Sequence, residues 1–465
     1  MKGLIASTMS DSGKSLIVAG LSRIFRLKPV KFQNMSLNSF PTHDYGEIAF
    51  IQAFQAIGSG YNLSRDLNPV LLKPSGEGKV EVILFGETLD IISYSEYYSQ
   101  LDNIWKVVLE GLTNRDQIIV EGAGSIGEPN FVNVDISSIK PATQLKLPII
   151  LVVDIDRGGA FASILGSYNI VPSQVRDLMK GFIINKFRGD HKLLEPAIKW
   201  IEERTRLKYL GSLPYYEFDP IMAEDSMNIR TIGNGEIQIG VIAYPYMSNF
   251  NEFSVFENSN ATVYFIPKPS QIKKMDLIIL PGSKNVLKSL KWLYDMGFTE
   301  LLKSKPVLGI CGGFQVMSKK IIDPYGIEFG YPTEIQGLGI FDTVTRYNLS
   351  KVVSISEGQS EFGKIRGYEI RRGEIIYKDE RPILTITKRG YKETEVFDGA
   401  IKGNKIGFSI HGALYSEFGY KILEDFGIKI KYNSLEYHIT EKVKVIENEI
   451  RKHLFIDEIS KILDA

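Results

Sequence analysis

Short apolar runs recur along the chain, each closed by glycine or a polar turn. They are LIAST from residue 4, IIVEGAG from 118, LPIILVVDID from 147, GFIINKF from 181, IQIGVIAYP from 237, LIILPGS from 277, VLGICGG from 307 and IGFSIHG from 406. Runs this short, without alternation, suit parallel strands buried on both faces by helices. Helical stretches such as EPAIKWIEERTRLKYL lie between several of them. The pattern predicts two α/β units with mainly parallel sheets. Between 333 and 405 it changes: KVVSIS and PILTITK alternate, as antiparallel or edge strands do. Near the end, Val443, Ile446, Ile450 and Leu454 fall at helical spacing and predict a packed terminal helix. The turn-rich TIGNGE at 231–236 precedes a fresh strand and places the boundary there. The expected domains are 1–233 and 234–465, the second including the C-terminal helical tail.

Composition narrows the function classes. At 465 residues the chain exceeds one ordinary core. Lys plus Arg and Asp plus Glu are both 55, giving a formal net charge of 0. That balance lacks the basic excess of a nucleic-acid binder. The single cysteine excludes an intrachain disulfide framework and a multi-cysteine zinc site. No apolar run approaches the roughly 18 residues of a spanning helix. The N-terminus passes at once into a glycine-containing loop rather than a secretory segment. A cytoplasmic protein is expected, with no membrane or nucleic-acid partner and room for a homo-oligomer.

Residues 7–15 read STMSDSGKS and follow the first strand. The tail matches a phosphate-binding loop, but Thr8 stands where the strict pattern has its first glycine. Ser12 and Gly13 give close backbone approach, Lys14 meets terminal phosphates and Ser15 can hold Mg²⁺. Nucleotide binding is therefore expected. Acidic residues at strand ends are natural metal partners. Glu121 is favoured because GAG follows it, while Asp154 and Asp156 close another strand. Asp44 and Glu47 lie in a loop that can complete the set. Arg157, in DRGGAF, is a candidate phosphate or carboxylate clamp. Asn185, at the end of GFIIN, is a candidate base-edge reader.

The lone cysteine, Cys311, sits between a strand-like VLGI and a helix-forming GFQVM. This is a nucleophile elbow: a tight strand-to-helix turn that exposes one side chain, with glycines relieving crowding. A helix N-terminus there favours thiolate. Backbone N–H groups near Gly282 and Gly312 are candidates to stabilise an oxyanion. Among His43, His191, His411, His438 and His453, His411 closes a strand in the same unit and is the expected base. His438 and His453 flank the terminal helix and are expected at the surface. Glu417 is a candidate to orient His411.

VLGICGG followed by FQ resembles the cysteine elbow of class I glutamine amidotransferases. The larger set resembles the glutamine-hydrolysing cobyric acid synthase family. It comprises KFQNMSLNSF (31–40), DLNPVLLKPSG (66–76), EGAGS (121–125), DIDRGGAFAS (154–163), INKFRGD (184–190), SNF (248–250), DLIILPGSKN (276–285), GLG (337–339), GYEI (367–370) and His411–Gly412. These motifs occur in family order up to about residue 420. The resemblance implies a dethiobiotin-synthetase-like P-loop domain followed by a class I amidotransferase-like α/β domain. It implies ATP and Mg²⁺ at Lys14 and Ser15, with Glu121 as metal partner. Cys311 would be the glutaminase nucleophile and His411 its base. The implied substrates are glutamine and a corrinoid polycarboxylate amidated at positions b, d, e and g. Cobyrinic acid a,c-diamide synthase shares the plan and is the neighbouring alternative. A P-loop partitioning or switch protein is the alternative of another class. Two departures stand out. Arg371 follows GYEI where the family usually has His. Gly412 and Ala413 follow His411, so the His-x-Glu of many amidotransferases is absent.

Overall fold

The apolar runs pair as parallel strands in two separate sheets. The computed structural model describes residues 1–76, 78–112, 115–216 and 230–464. In the first sheet the spatial order is Lys208–Pro214, Met179–Phe187, Ile149–Asp154, Gly3–Ser7, Ile118–Glu121 and Lys28–Val30, all parallel. Gly3–Ser7 and Ile149–Asp154 are buried throughout, which accounts for their unbroken apolar character. Register aligns Ile5 with Glu121 and Asp154 with Asn185. Glu121, Asp154 and Asn185 therefore sit at C-terminal strand ends, where ligands of open α/β sheets bind.

The second sheet runs Ala261–Ile266, Ile237–Ile242, Leu277–Leu280, Val307–Ile310 and Lys405–Phe408 in parallel, with Ala400–Lys402 antiparallel at its edge. The alternating segments between 333 and 405 form a largely antiparallel sheet. Its long hairpin pairs Phe341–Ser360 with Gly363–Tyr377.

The division of the chain departs from the expected boundaries in three places. The first unit comprises Met1–Met35, Ile48–Ile221 and Glu436–Ala465, and the second Ser36–Glu47 and Met222–Leu435. TIGNGE lies inside the second unit, because Ile232 exchanges two backbone hydrogen bonds with Val263 at 3.1 and 2.8 Å. Ser36–Glu47 also folds there, although first-unit chain flanks it on both sides. The C-terminal helices, Leu435–His453 and Ile456–Asp464, do not belong with the second unit as expected.

The cause is a glycine-flattened helix surface. A Cβ at Gly20 would lie 2.3 Å from Ile450 Cδ1, and one at Gly58 would lie 2.2 Å from Val443 Cγ2. Both glycines let the apolar stripe of the tail approach, and Val443, Ile446 and Ile450 are buried. At the far end, Phe455 N donates to Leu210 O at 3.0 Å and Lys2 N to Leu463 O at 2.8 Å. Ile450→Ala is expected to destabilise the first unit by about 2–5 kcal/mol, the usual cost of emptying a buried isoleucine site. Denaturant unfolding measures this. A loss within experimental error would show that the tail is no part of that core.

Candidate active site

In the first unit, the loop after Gly3–Ser7 leads into helix Lys14–Phe25. Thr8 N donates to Val152 O at 3.2 Å, so this residue still continues the strand. Positive φ begins only at Asp11 (57°) and Gly13 (94°). Threonine is thus tolerated at the first glycine position of the motif, because the backbone there asks for no left-handed conformation. Gly13 has no such freedom: a Cβ would lie 2.0 Å from Asn185 Nδ2.

The INKFRGD motif fastens this loop. Asn185 Nδ2 donates to Ser12 O at 2.8 Å, and Lys186 Nζ donates to Asp11 O at 2.7 Å. Asn185 is buried with its amide nitrogen committed to the loop, which gives it a supporting place rather than that of an open base reader. Lys186 also pairs with buried Asp154 at 2.8 Å. Lys14 Nζ donates to Ser7 Oγ at 2.7 Å and Gly124 O at 3.1 Å, spanning the mouth of the loop. Ser12 Oγ donates to Met9 O at 2.9 Å.

Glu121 is fully buried and collects three donors. Ser15 Oγ and Lys31 Nζ each reach Oε1 at 2.8 Å, and Gln55 Nε2 reaches Oε2 at 2.5 Å. Burial alone would raise its pKa. The charge of Lys31 and the hydrogen bonds of Lys31, Gln55 and Ser15 outweigh that, and the net shift is downward. Glu121 is therefore an ionised carboxylate beside the Ser15 hydroxyl. Asp44 and Glu47 are not among the partners of either residue. Asp44 accepts from Thr42, and Glu47 from Ser39 at 2.8 Å and from Lys351, all within the second unit. Arg157 is exposed and stands 4.0 Å from Asp154, while Asp156 faces Arg188 at 3.3 Å. Among the described residues, no cluster of three or more His, Cys, Asp or Glu could cage a metal ion.

In the second unit, strand Val307–Ile310 turns at Cys311 into helix Gly312–Met317. Cys311 itself has φ 51° and ψ −106°, a strained conformation for a residue with a Cβ. Strain concentrated on one chemically active side chain suits an elbow. The flanking glycines are needed for close approach. A Cβ at Gly313 would lie 1.8 Å from Leu280 O, and one at Gly312 would lie 2.6 Å from Ser283 N.

His411 is buried close enough to Cys311 for the thiol's charge to bear on its pKa. Its other face is held by a residue that sequence reasoning missed. Glu252 Oε1 lies 2.8 Å from His411 Nδ1, and Glu252 Oε2 accepts from Gly412 N at 3.0 Å. The expected orienter, Glu417, is half-exposed and instead meets Lys364 N at 3.1 Å and Lys421 at 3.4 Å. Glu252 follows the SNF motif by two residues, which was the available signal. Burial would depress the His411 pKa, but the charges of Glu252 and Cys311 and their hydrogen bonds push it up to about 10. Gly282 sets the remaining wall: a Cβ there would lie 2.6 Å from His411 Cε1 and 2.9 Å from Ser248 O. The set can attack a carbonyl carbon with sulfur and return a proton to a leaving amine.

Arg371 is a buried structural cation. It donates to Glu369 Oε1 from Nη2 at 2.7 Å and from Nε at 3.0 Å, and Arg389 Nε donates to Glu369 Oε2 at 2.8 Å. Burial would raise the Glu369 pKa, but Arg371 and Arg389 hold it at about 2. Of the remaining histidines, His438 is half-buried rather than at the surface, and burial pushes its pKa down to about 4.

Comparison with known proteins matches the chain to two domain families in sequence order. Residues 4–227 match the CobQ/CobB/MinD/ParA nucleotide binding domain, and residues 238–418 match the CobB/CobQ-like glutamine amidotransferase domain. The cobyric acid synthase of Dehalococcoides mccartyi strain CBDB1 is 36% identical over 439 residues, spanning 88% of this chain and 87% of the relative. That of Thermodesulfovibrio yellowstonii is 36% identical over 491 residues, spanning 99% and 98%. The chain belongs to the cobyric acid synthase family. As a cobyric acid synthase family member it is an ATP-dependent, amide-forming ligase with its own glutamine amidotransferase domain. No described helix is long and apolar enough to cross a membrane.

Two substitutions test the second-unit geometry through glutamate release from glutamine. Gly282→Ala is expected to displace His411 and lower the glutaminase kcat by about a hundredfold, the order expected for an ångström of misplacement. Wild-type turnover would show that His411 does not need its present position. Glu252→Gln removes the charge that raises the His411 pKa and leaves burial, which lowers it. The alkaline limb of the kcat profile should then move down by at least about one pH unit. An unmoved limb would refute the assigned pairing.

Proposed function

We propose that this protein makes cobyric acid by amidating the b, d, e and g carboxylates of cobyrinic acid a,c-diamide, in its adenosyl form, with ATP and glutamine. One observation carries the reading. A strained Cys311 elbow, backed by the buried His411–Glu252 pair, shares a chain with a phosphate loop whose Ser15 meets an ionised Glu121.

A carboxylate is a poor electrophile and must first be activated. In the first unit, the loop amides around Ser12 and Gly13 cradle phosphates. Lys14 exchanges its contacts with Ser7 and Gly124 for phosphate oxygens. The hydroxyl of Ser15 and the carboxylate of Glu121, which also carries Lys31, are hard oxygen donors of the kind Mg²⁺ takes. Those two residues would hold it, and it would neutralise phosphate charge. Such an ion keeps several waters, so a dedicated protein cage is not required. Transfer of the terminal phosphoryl group to the corrin carboxylate gives an acyl phosphate, which ammonia converts to amide and phosphate.

In the second unit, Cys311 Sγ attacks the glutamine carboxamide. The N–H groups at Gly312 and Gly282 would receive the developing oxyanion. Protonated His411 gives its proton to departing ammonia, leaving a glutamyl thioester. His411 then takes a proton from water, which hydrolyses the thioester to glutamate. Glu252 keeps the imidazole ring oriented through both transfers.

Cys311→Ala should abolish glutamine-dependent amidation and leave ammonia-dependent amidation within about twofold of wild type, because only the donor step uses the thiol. Equal loss with both donors would overturn the division of labour. Lys14→Ala should remove product with either donor. Mass spectrometry of products from cobyrinic acid and from its a,c-diamide identifies the substrate and counts the amides formed. Amidation at a or c would refute the positions proposed.

A further inference from the structure

The supports of His411 converge on two consecutive residues that lie far away in sequence. On the Nδ1 side stands Glu252, at the start of the short helical segment Phe250–Phe256. That segment is launched by Asn249, whose φ is 54°. Asn249 Oδ1 accepts a hydrogen bond from Ser39 N at 2.9 Å, in a buried setting. On the ring face stands Tyr368. It exchanges two backbone hydrogen bonds with His411, both 2.8 Å, and its ring stacks on the imidazole with centroids 5.4 Å apart. Behind Tyr368 lies Phe40, with ring centroids 4.5 Å apart. Ser39 thus backs one support and Phe40 the other.

The segment carrying these residues is itself anchored. Glu47 forms a buried ion pair with Lys351 and accepts from Ser39 Oγ at 2.8 Å. Tyr45 Oη donates to Arg389 O at 3.2 Å, and Arg389 holds Glu369, next to Tyr368. The segment Ser36–Glu47 belongs to the second unit, yet in sequence it is bounded by first-unit strand Gln33–Met35 and first-unit helix Phe50–Ser59.

We propose that Ser39 and Phe40 are positioning residues for His411, acting through Asn249–Glu252 and Tyr368 respectively. The segment Ser36–Glu47 thereby bears on glutaminase competence from within the second unit. This rests on the glutaminase reading of Cys311 and His411. Neither Ser39 nor Phe40 touches substrate in this assignment. Their effect on the imidazole falls on turnover rather than on glutamine affinity.

The test uses the full chain and measures glutamate release and ammonia-dependent amidation in parallel. Phe40→Ala should lower the glutaminase kcat by about tenfold to a hundredfold, with KM for glutamine and ammonia-dependent amidation within about twofold of wild type. Phe40→Leu, which keeps most of the apolar bulk, should restore kcat to within about threefold of wild type. Asn249→Gly tolerates the left-handed backbone and deletes only the acceptor, so it should reproduce the kcat loss. It decides the matter should Phe40→Ala fail to fold. An unchanged kcat in Asn249→Gly and Phe40→Ala would overturn the proposal, as would parallel loss of both activities, which marks a purely structural segment. A wild-type glutaminase indifferent to Cys311→Ala would instead overturn the functional reading on which the proposal stands.

Discussion

A carboxylate and an imidazole buried side by side organise the second unit. Glu252 and His411 are both almost fully excluded from solvent, and removing either leaves the other as an uncompensated buried group. The loss of one partner of such a pair typically costs roughly 3–5 kcal/mol. The surrounding chain is arranged to avoid that state. Gly412 N takes up the second oxygen of Glu252, Tyr368 fixes the main chain of His411 on both sides, and Gly282 leaves room for the ring edge. The absence of a carboxylate two positions after the histidine is no deficit. The acid is supplied by a residue 159 positions earlier in the chain.

The first unit solves a similar problem with different parts. Glu121 is buried and ionised because Lys31, Gln55 and Ser15 all point at it. Beside it, the phosphate loop is held open from below by Asn185 and Lys186, whose donors satisfy the carbonyls of Ser12 and Asp11. Pre-arranged dipoles and charges of this kind need little reorganisation when a phosphate arrives. The two units thus share a principle. Each keeps its reactive group in a water-poor setting by surrounding it with fixed partners, and keeps those partners in place with glycine.

How much of this was legible beforehand varies with the range of the interactions. The parallel strands, the Cys311 elbow, the Gly13–Ser15 loop end and His411 all announce themselves locally, through apolar runs and glycine placement. Glu252 does not, because its role depends on a left-handed turn at Asn249 and on packing between distant segments. Glu417 looked plausible only for its nearness in sequence. Asn185 lies near the end of strand Met179–Phe187, and its contact with the loop depends on the missing Cβ of Gly13, invisible in one dimension. The tail shows the same limit. Its stripe of Val443, Ile446 and Ile450 declares a buried face without saying what buries it. The answer lies in the flat surfaces at Gly20 and Gly58, some four hundred residues upstream by the arithmetic of 443 minus 58 and 450 minus 20.

That tail has a consequence for how the protein comes into being. As the chain leaves the ribosome, residues 436–465 emerge only after the whole second unit has been synthesised. Until then the apolar surface around Gly20 and Gly58 has no cover. The nucleotide-binding unit is the first to be translated and the last to be completed, whereas the amidotransferase unit already holds all its pieces by residue 435. Contacts of such long sequence separation form slowly and leave a sticky intermediate exposed meanwhile. In a partly made chain the second unit is thus complete while the first still lacks its covering helices.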